Sequence, residues 1–258
     1  MTSSARRVDD AGIVTVTLTR DEKLNAVDDG MIDELRRAVG DLGDREQLRV
    51  MVVGAEGRYF TAGIDIGRFT ASRPSSGVAS RHDYRRLHLL FDEIEAVEKP
   101  VVLAAQGPCL GFGVELAVSC DFRLATSRAA FSLPEIANLA VLPGSGGISR
   151  LTRLVGPHWA RWMAMAGRSV PAEHAVTIGL VHDILPEETF AEDVRRFAES
   201  LAALSPEALG LAKLGIDAAV SVDRATARDI DRIANTLLLS STEHRTAVAR
   251  LAAHRKQP

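Results

Sequence analysis

The sequence predicts an α/β fold that ends in a purely helical region. Three observations carry this. Short apolar, β-branched runs at 13–18, 48–54 and 101–106 alternate with segments of helical periodicity. The alternation persists to about residue 190, which implies parallel strands joined by helical crossovers. Beyond that point only helical periodicity remains, over 191–203, 206–219, 222–240 and 243–255.

Each element follows from local chemistry. IVTVTL at 13–18 alternates and reads as a strand. Met31, Ile32, Leu35, Val39 and Leu42 form one stripe of a helix over 29–42, capped by Asp28 or Asp29. LRVMVVG at 48–54 reads as a buried strand. A loop rich in Gly, Ser and Pro runs from Phe60 to about Ser80. Tyr84, Leu87, Phe91, Ile94 and Val97 then mark a helix over 81–98, stopped by Pro100 ahead of a strand at 101–106. Ser205-Pro206-Glu207 is a helix start with proline in the first turn.

Composition excludes several functions. A net charge of −3 offers no electrostatic footprint for coating nucleic acid or an anionic membrane. Aromatics at 5% are too scarce for stacking platforms to be the main device. Cys109 and Cys120 give no disulfide framework and are expected as free thiols in a reducing compartment. The N-terminus MTSSARRVDD lacks an apolar signal core, and no apolar run is long enough to span a bilayer. A cytoplasmic protein is expected.

Several motifs fail. Gly111-Phe112-Gly113 begins like a dinucleotide fingerprint, but Leu116 stands where the third glycine belongs. Gly144-Ser145-Gly146 has its glycines directly beside the serine, unlike a nucleophile elbow. Seven histidines show no metal-ligand pairing at i and i+4.

The informative stretch runs from Lys99 to Gly156. Lys99-Pro100 leads into a strand, and a glycine-rich turn opens a helix with Glu115 in its first turn. Cys120-Asp121 closes that helix. A second strand leads to Pro134-Glu135, and Pro143-Gly144-Ser145-Gly146-Gly147 opens the next helix. Upstream stand Glu22-Lys23-Leu24-Asn25-Ala26 and Phe60-Thr61-Ala62-Gly63-Ile64-Asp65-Ile66. Downstream, 168–185 includes Gly179-Leu180-Val181. In this order the segments resemble the crotonase (enoyl-CoA hydratase/isomerase) superfamily over nearly the whole chain.

The resemblance implies a crotonase-type spiral of βαβ units over 1–195 and a helical oligomerisation region over 196–258. It also implies a homotrimer or homohexamer acting on an acyl-CoA thioester. No metal or redox cofactor is expected, since coenzyme A arrives as part of the substrate. The implied reaction is hydration of a 2-enoyl-CoA to a 3-hydroxyacyl-CoA. Such a reaction pushes negative charge onto the thioester oxygen, so fixed donors must stand there. The family pattern places them at the N–H groups of Ile64 and Phe112. It assigns the acid–base pair to Glu115 and Glu135. Substrate and CoA contacts fall on Lys23, Leu24, Ala26, Ala62, Gly63, Ile64, Asp65, Ile66, Leu110, Gly111, Phe112 and Pro134.

Three departures stand out. Phe112 replaces the family's usual glycine, and Phe would be strained if that position needed positive φ. Its ring would also narrow the acyl pocket. The stretch from Glu135 to Gly146-Gly147 is one residue longer than in typical hydratases. ANLAVLPG after Glu135 lacks the further carboxylate of dienoyl-CoA isomerases. The alternatives are another reaction on this fold (isomerisation, acyl-CoA hydrolysis, a specialised dehydratase) or a catalytically weak acyl-CoA-binding protein.

Overall fold

The computed structural model describes residues 4–70 and 76–254. Residues 71–75 of the expected loop, residue 255 of the expected last helix and the first three residues lie outside the described residues.

The chain opens with strands β1 (Ala5–Asp10) and β2 (Ile13–Leu18), helix α1 (Asp29–Asp44) and strand β3 (Val50–Ala55). Helices α2 (Gly67–Thr70) and α3 (Gly77–Ala96) precede strands β4 (Val101–Ala105) and β5 (Cys109–Leu110). Helix α4 (Phe112–Ala117), strands β6 (Phe122–Ala125) and β7 (Ala130–Ser132), and helix α5 (Glu135–Leu139) follow. Next come helix α6 (Gly147–Ala160, broken at Gly156), strand β8 (Val170–Pro171), helix α7 (Ala172–Thr177) and strand β9 (Asp183–Ile184). Helices α8 (Phe190–Ala202), α9 (Pro206–Ala219), α10 (Arg224–Leu239) and α11 (Thr242–His254) complete it.

Six strands form the main sheet in the order β1-β2-β3-β4-β6-β9, parallel except for the β1–β2 pair. A smaller sheet orders β5-β7-β8. Side chains alternate across the main sheet, so each strand feeds two cores. Val14, Val16, Met51 and Val53 pack with Leu35, Val39 and Phe91 on one side. Ile13, Val50, Val52 and Val102 pack with Val194, Ala198 and Leu201 of α8 on the other. Helix α8 thus continues across residue 195 while packed on the sheet.

The N-cap of α1 is Asp28, whose carboxylate accepts from the Met31 N–H at 2.9 Å. The stripe expected for α1 is buried throughout. Three elements differ from expectation, one of them α2, which lies inside the expected loop from Phe60 to about Ser80. Strand β1 is absent from the sequence reading because ARRVDD is mostly polar. It pairs only with β2, at the sheet edge, where one face stays in water. Helix α3 starts four residues early, where the Ser76 hydroxyl caps the Ala79 N–H.

The parallel strands aim their C-terminal ends at one place. The segment after β3 (60–66), the β5–α4 turn and the turn after β7 meet there.

Candidate active site

Two glycines bring the first walls of the site together. Gly111 has φ +55° and ψ −117°, a conformation that excludes other residues. A Cβ on it would lie 2.8 Å from Glu135 Oε1 and 3.6 Å from Gly63 Cα. Gly63, at φ +98°, faces the Leu110 carbonyl in turn. The positive φ thus falls on Gly111, and Phe112 is the first residue of α4 with no positive φ. The strain expected at Phe112 does not arise.

This turn leaves backbone donors open. Val27 bridges Ile64 in parallel: the Val27 N–H donates to the Gly63 carbonyl at 2.8 Å, and the Asp65 N–H donates to the Val27 carbonyl at 3.0 Å. The Ile64 N–H therefore points away from Val27. The Phe112 N–H belongs to the first turn of a helix and lacks an intrahelical acceptor. Neither N–H has an acceptor among the described residues. Both residues line one cavity of about 160 Å³. At roughly 10–15 Å³ per water on this measure, that is room for a short acyl group and a water.

Glu115 and Glu135 line the same cavity. Glu115 rises from α4 and is buried. Its Oε1 accepts from the Ser145 N–H at 2.8 Å and the Gly147 N–H at 3.3 Å. Burial pushes its carboxyl above the ordinary range, while those two donors pull the other way by favouring the carboxylate. Glu135 opens α5, and its buried Oε2 has no hydrogen-bond partner among the described residues. Burial, with a smaller push from the Glu115 charge, raises its carboxyl to about 7. One carboxyl is thus held by donors, and the other is left favouring its proton. Paired environments of this kind separate a base from an acid.

The remaining expected residues divide. Ala62, Gly63, Ile64, Ile66, Gly111, Phe112 and Pro134 line the cavity; Lys23, Leu24, Ala26, Asp65 and Leu110 do not. Leu24 and Asn25 both adopt left-handed φ near +54° and +53°. This turn docks on the 59–63 segment: Asn25 Nδ2 donates to the Tyr59 carbonyl at 2.9 Å, and the Ala62 N–H donates to the Leu24 carbonyl at 2.9 Å. Asp65 accepts from the Gly67 N–H and pairs with Arg20 at 2.6 Å, which hold its carboxyl below the ordinary range.

Other residues were not legible as site residues in the sequence. Ser145 and Gly147 supply the donors to Glu115, and the lining further includes Tyr84, Leu87, Asn138 and Leu142 and the charged pair Arg68 and Asp83. The signal was in the glycines. A Cβ on Gly147 would lie 2.7 Å from Glu115 Cγ, and one on Gly144 would lie 2.4 Å from the Tyr84 ring.

The Phe112 ring is nearly buried and packs on Phe91 at a centroid distance of 5.2 Å, while also lining the cavity. Phe112→Ala keeps the backbone donor and removes the ring. It is expected to lose about 3–5 kcal/mol of stability. Turnover of a short acyl group persists, and selectivity moves towards longer or branched groups by about 1–3 kcal/mol. Denaturant melts and a chain-length series of CoA thioesters check both. An unchanged series would place the ring outside the acyl path.

The chain is similar to known proteins over nearly its whole length. A family profile described as "Enoyl-CoA hydratase/isomerase" matches residues 9–257. The short-chain-enoyl-CoA hydratase of Clostridium acetobutylicum is 32% identical, over 95% of this chain and 92% of that protein. The crotonyl-CoA hydratase of Syntrophomonas wolfei is 30% identical, over 95% and 93%. The crystal structure of an enoyl-CoA hydratase from Bacillus anthracis superposes with a TM-score of 0.90 at 26% identity, covering 97% of this chain and 96% of that one. A crotonase fold, a carboxyl pair on one cavity and these matches lead to one conclusion: the chain belongs to the enoyl-CoA hydratase/isomerase family and is an enzyme of that class.

Proposed function

We propose that the chain hydrates a 2-enoyl-CoA to a 3-hydroxyacyl-CoA, adding both parts of water to one face of the double bond. The observation that carries this reading is the pairing of Glu115 and Glu135 on the cavity lined by two acceptor-free backbone N–H groups. The Ile64 and Phe112 N–H groups hold the thioester oxygen as charge develops on it. Glu115, ionised, takes a proton from water, and the resulting hydroxide equivalent bonds to C3. Glu135, protonated, gives its proton to C2. The reaction is redox-neutral, so it calls for no redox cofactor, and coenzyme A enters with the substrate. The turn 22–26 and Asp65 would shape the CoA path through the segments they hold.

The same reading includes a trimer or hexamer. Helix α10 buries none of its residues, yet Ile233 and Leu237 give it an apolar stripe. Ile216 and Val220 at the end of α9 are likewise about two-thirds exposed, at 68% and 67%. Contiguous apolar surface of this kind marks an association face. No helix among the described residues is long and apolar enough to cross a membrane. We place the protein in the cytoplasm on this reading.

A panel of CoA thioesters, read by mass spectrometry, tests the function. The expected result is gain of one water by a 2-enoyl-CoA. Faster conversion of a 3-enoyl-CoA to its 2-enoyl isomer would assign isomerase chemistry. Release of free CoA would assign hydrolysis, and tight binding without turnover would overturn the catalytic reading.

A further inference from the structure

The donor that holds Glu115 is itself held from behind. The Ser145 N–H and the Gly144 carbonyl belong to one peptide unit. The N–H donates to Glu115 Oε1 at 2.8 Å. The carbonyl lies 2.9 Å from His88 Nε2 on α3. A carbonyl can only accept, so that ring nitrogen carries the hydrogen. Hydrogen bonds in series polarise one another, so donation into the carbonyl strengthens donation out of the N–H.

The turn has few other ties. Gly144 has the Tyr84 ring against it, and Gly146 sits at φ +94°. The Ser145 carbonyl accepts from Arg150 Nη1 at 3.1 Å, and Arg150 pairs with Asp92 and Glu95 of α3. Helix α3 therefore grips two successive carbonyls of the turn, one through His88 and one through Arg150. Of these two contacts, only that of His88 lies on a peptide that donates to Glu115, the one that makes the shorter of its two bonds (2.8 Å against 3.3 Å from Gly147).

We propose that His88 is a positioning residue for Glu115, acting through the Gly144–Ser145 peptide to fix and strengthen a donor to its carboxylate. This rests on the hydration reading, in which Glu115 is the base. It gives a half-buried histidine outside the cavity lining a role in the reaction. A charge on His88 would also favour the Glu115 carboxylate, the same direction as the relay. The ionisable groups around the unit are Arg68 on α2, Glu115 on α4, Glu135 on α5, Arg150 on α6, and Asp83, Tyr84, Asp92 and Glu95 on α3. Of these, only Glu115 accepts from the Ser145 N–H.

The test uses His88→Leu, which removes the donor, and His88→Gln, whose amide can restore it. Hydration of a 2-enoyl-CoA is followed across pH 5–9, beside thermal melts and a carbon-13 titration of labelled glutamate carboxyls. His88→Leu is expected to lower kcat about tenfold, the loss of one charge-linked hydrogen bond, with KM within about twofold. The acid limb of its kcat/KM profile, and the Glu115 carboxyl titration, should move to higher pH. His88→Gln should return all three towards wild type.

A His88→Leu protein with wild-type kcat and an unmoved acid limb would overturn the proposal. So would a loss that His88→Gln, equally stable, fails to recover. If His88→Leu does not fold, His88→Ala takes its place beside His88→Gln: an unmoved Glu115 titration in His88→Ala overturns the relay, and a shift to higher pH that His88→Gln lacks supports it. A wild-type chain inert towards every 2-enoyl-CoA would sink the hydration reading, while the carboxyl titration would still decide the relay.

Discussion

Replacing Glu135 with glutamine is expected to lower turnover of a 2-enoyl-CoA by about two orders of magnitude or more, the usual cost of losing a positioned acid. The glutamine keeps the shape but has no proton to give to C2. Glu115→Gln should lose about as much, because an amide cannot take a proton from water. Affinity for the CoA ester should change far less in both. The wild-type profile of kcat/KM against pH should be bell-shaped, falling on the acid side as Glu115 protonates. It should fall on the alkaline side as Glu135 ionises, near its value of about 7. Glu135→Gln should erase the alkaline limb in the residual activity.

Stability carries the same signature. The Glu135 carboxyl titrates at about 7 in the fold, against 4.5 for an ordinary glutamate. Its contribution is therefore fully present below the unfolded value and is lost as pH rises through about 7. Wild-type protein should lose about 1–3 kcal/mol between pH 5 and pH 8.5 from this group, after allowing for its partial exposure. Glu135→Gln should lack that loss. Denaturant melts at the two pH values measure it. Near-wild-type turnover in either glutamine variant would refute the two-carboxyl mechanism.

Removing residues 206–258 is expected to leave aggregated or unfolded chain. Two separate costs combine. The first is internal. Lys213 Nζ of α9 reaches the Ile94 carbonyl at 2.9 Å and Asp121 Oδ2 at 3.0 Å. Asp121 is largely buried, which raises its carboxyl, and it also accepts from the Val101 N–H at the start of β4. Deleting its lysine leaves a partly buried carboxylate without that partner, a loss of about 1.5–3 kcal/mol for one charged hydrogen bond. The second cost is external. In the proposed assembly the tail helices cover apolar surface between subunits, and without them that surface meets water. Sedimentation checks both parts. The full chain should run as a trimer or hexamer, and a stable wild-type monomer would contradict the proposed role of the tail.

Much of this was legible in the residues. The stripe of α1, the span of α9 and the runs of β2 and β4 were read nearly to the residue, because periodicity and a cap or proline bound them. Asp28, Pro100 and Ser205-Pro206 are such boundaries. Strand β1 was not legible, since its place is set by pairing with β2 rather than by its own apolar content. Glu115 and Glu135 were picked out by the family resemblance; the structure puts both on one cavity, and their roles remain the proposal made above. The donors to Glu115 were not legible: Ser145 lies 30 residues beyond it, and no local pattern says that a backbone N–H will turn inwards. Phe112 shows the same limit. Its sequence neighbour Gly111 carries the left-handed backbone, so the bulky side chain sits one residue beyond the constraint.

The contact between Gly63 and Gly111 separates what the site does from what it selects. The spacing of the two proposed donors is set where backbone meets backbone, with no side chain between them. Side chains at the far wall, such as Leu87 and Leu142, can therefore change size without altering that spacing. A lineage can drift from one acyl group to another by substitution on α3 and the 139–142 segment, with the charge-stabilising device inherited intact. The two glycines are the part of the design that such divergence must leave alone.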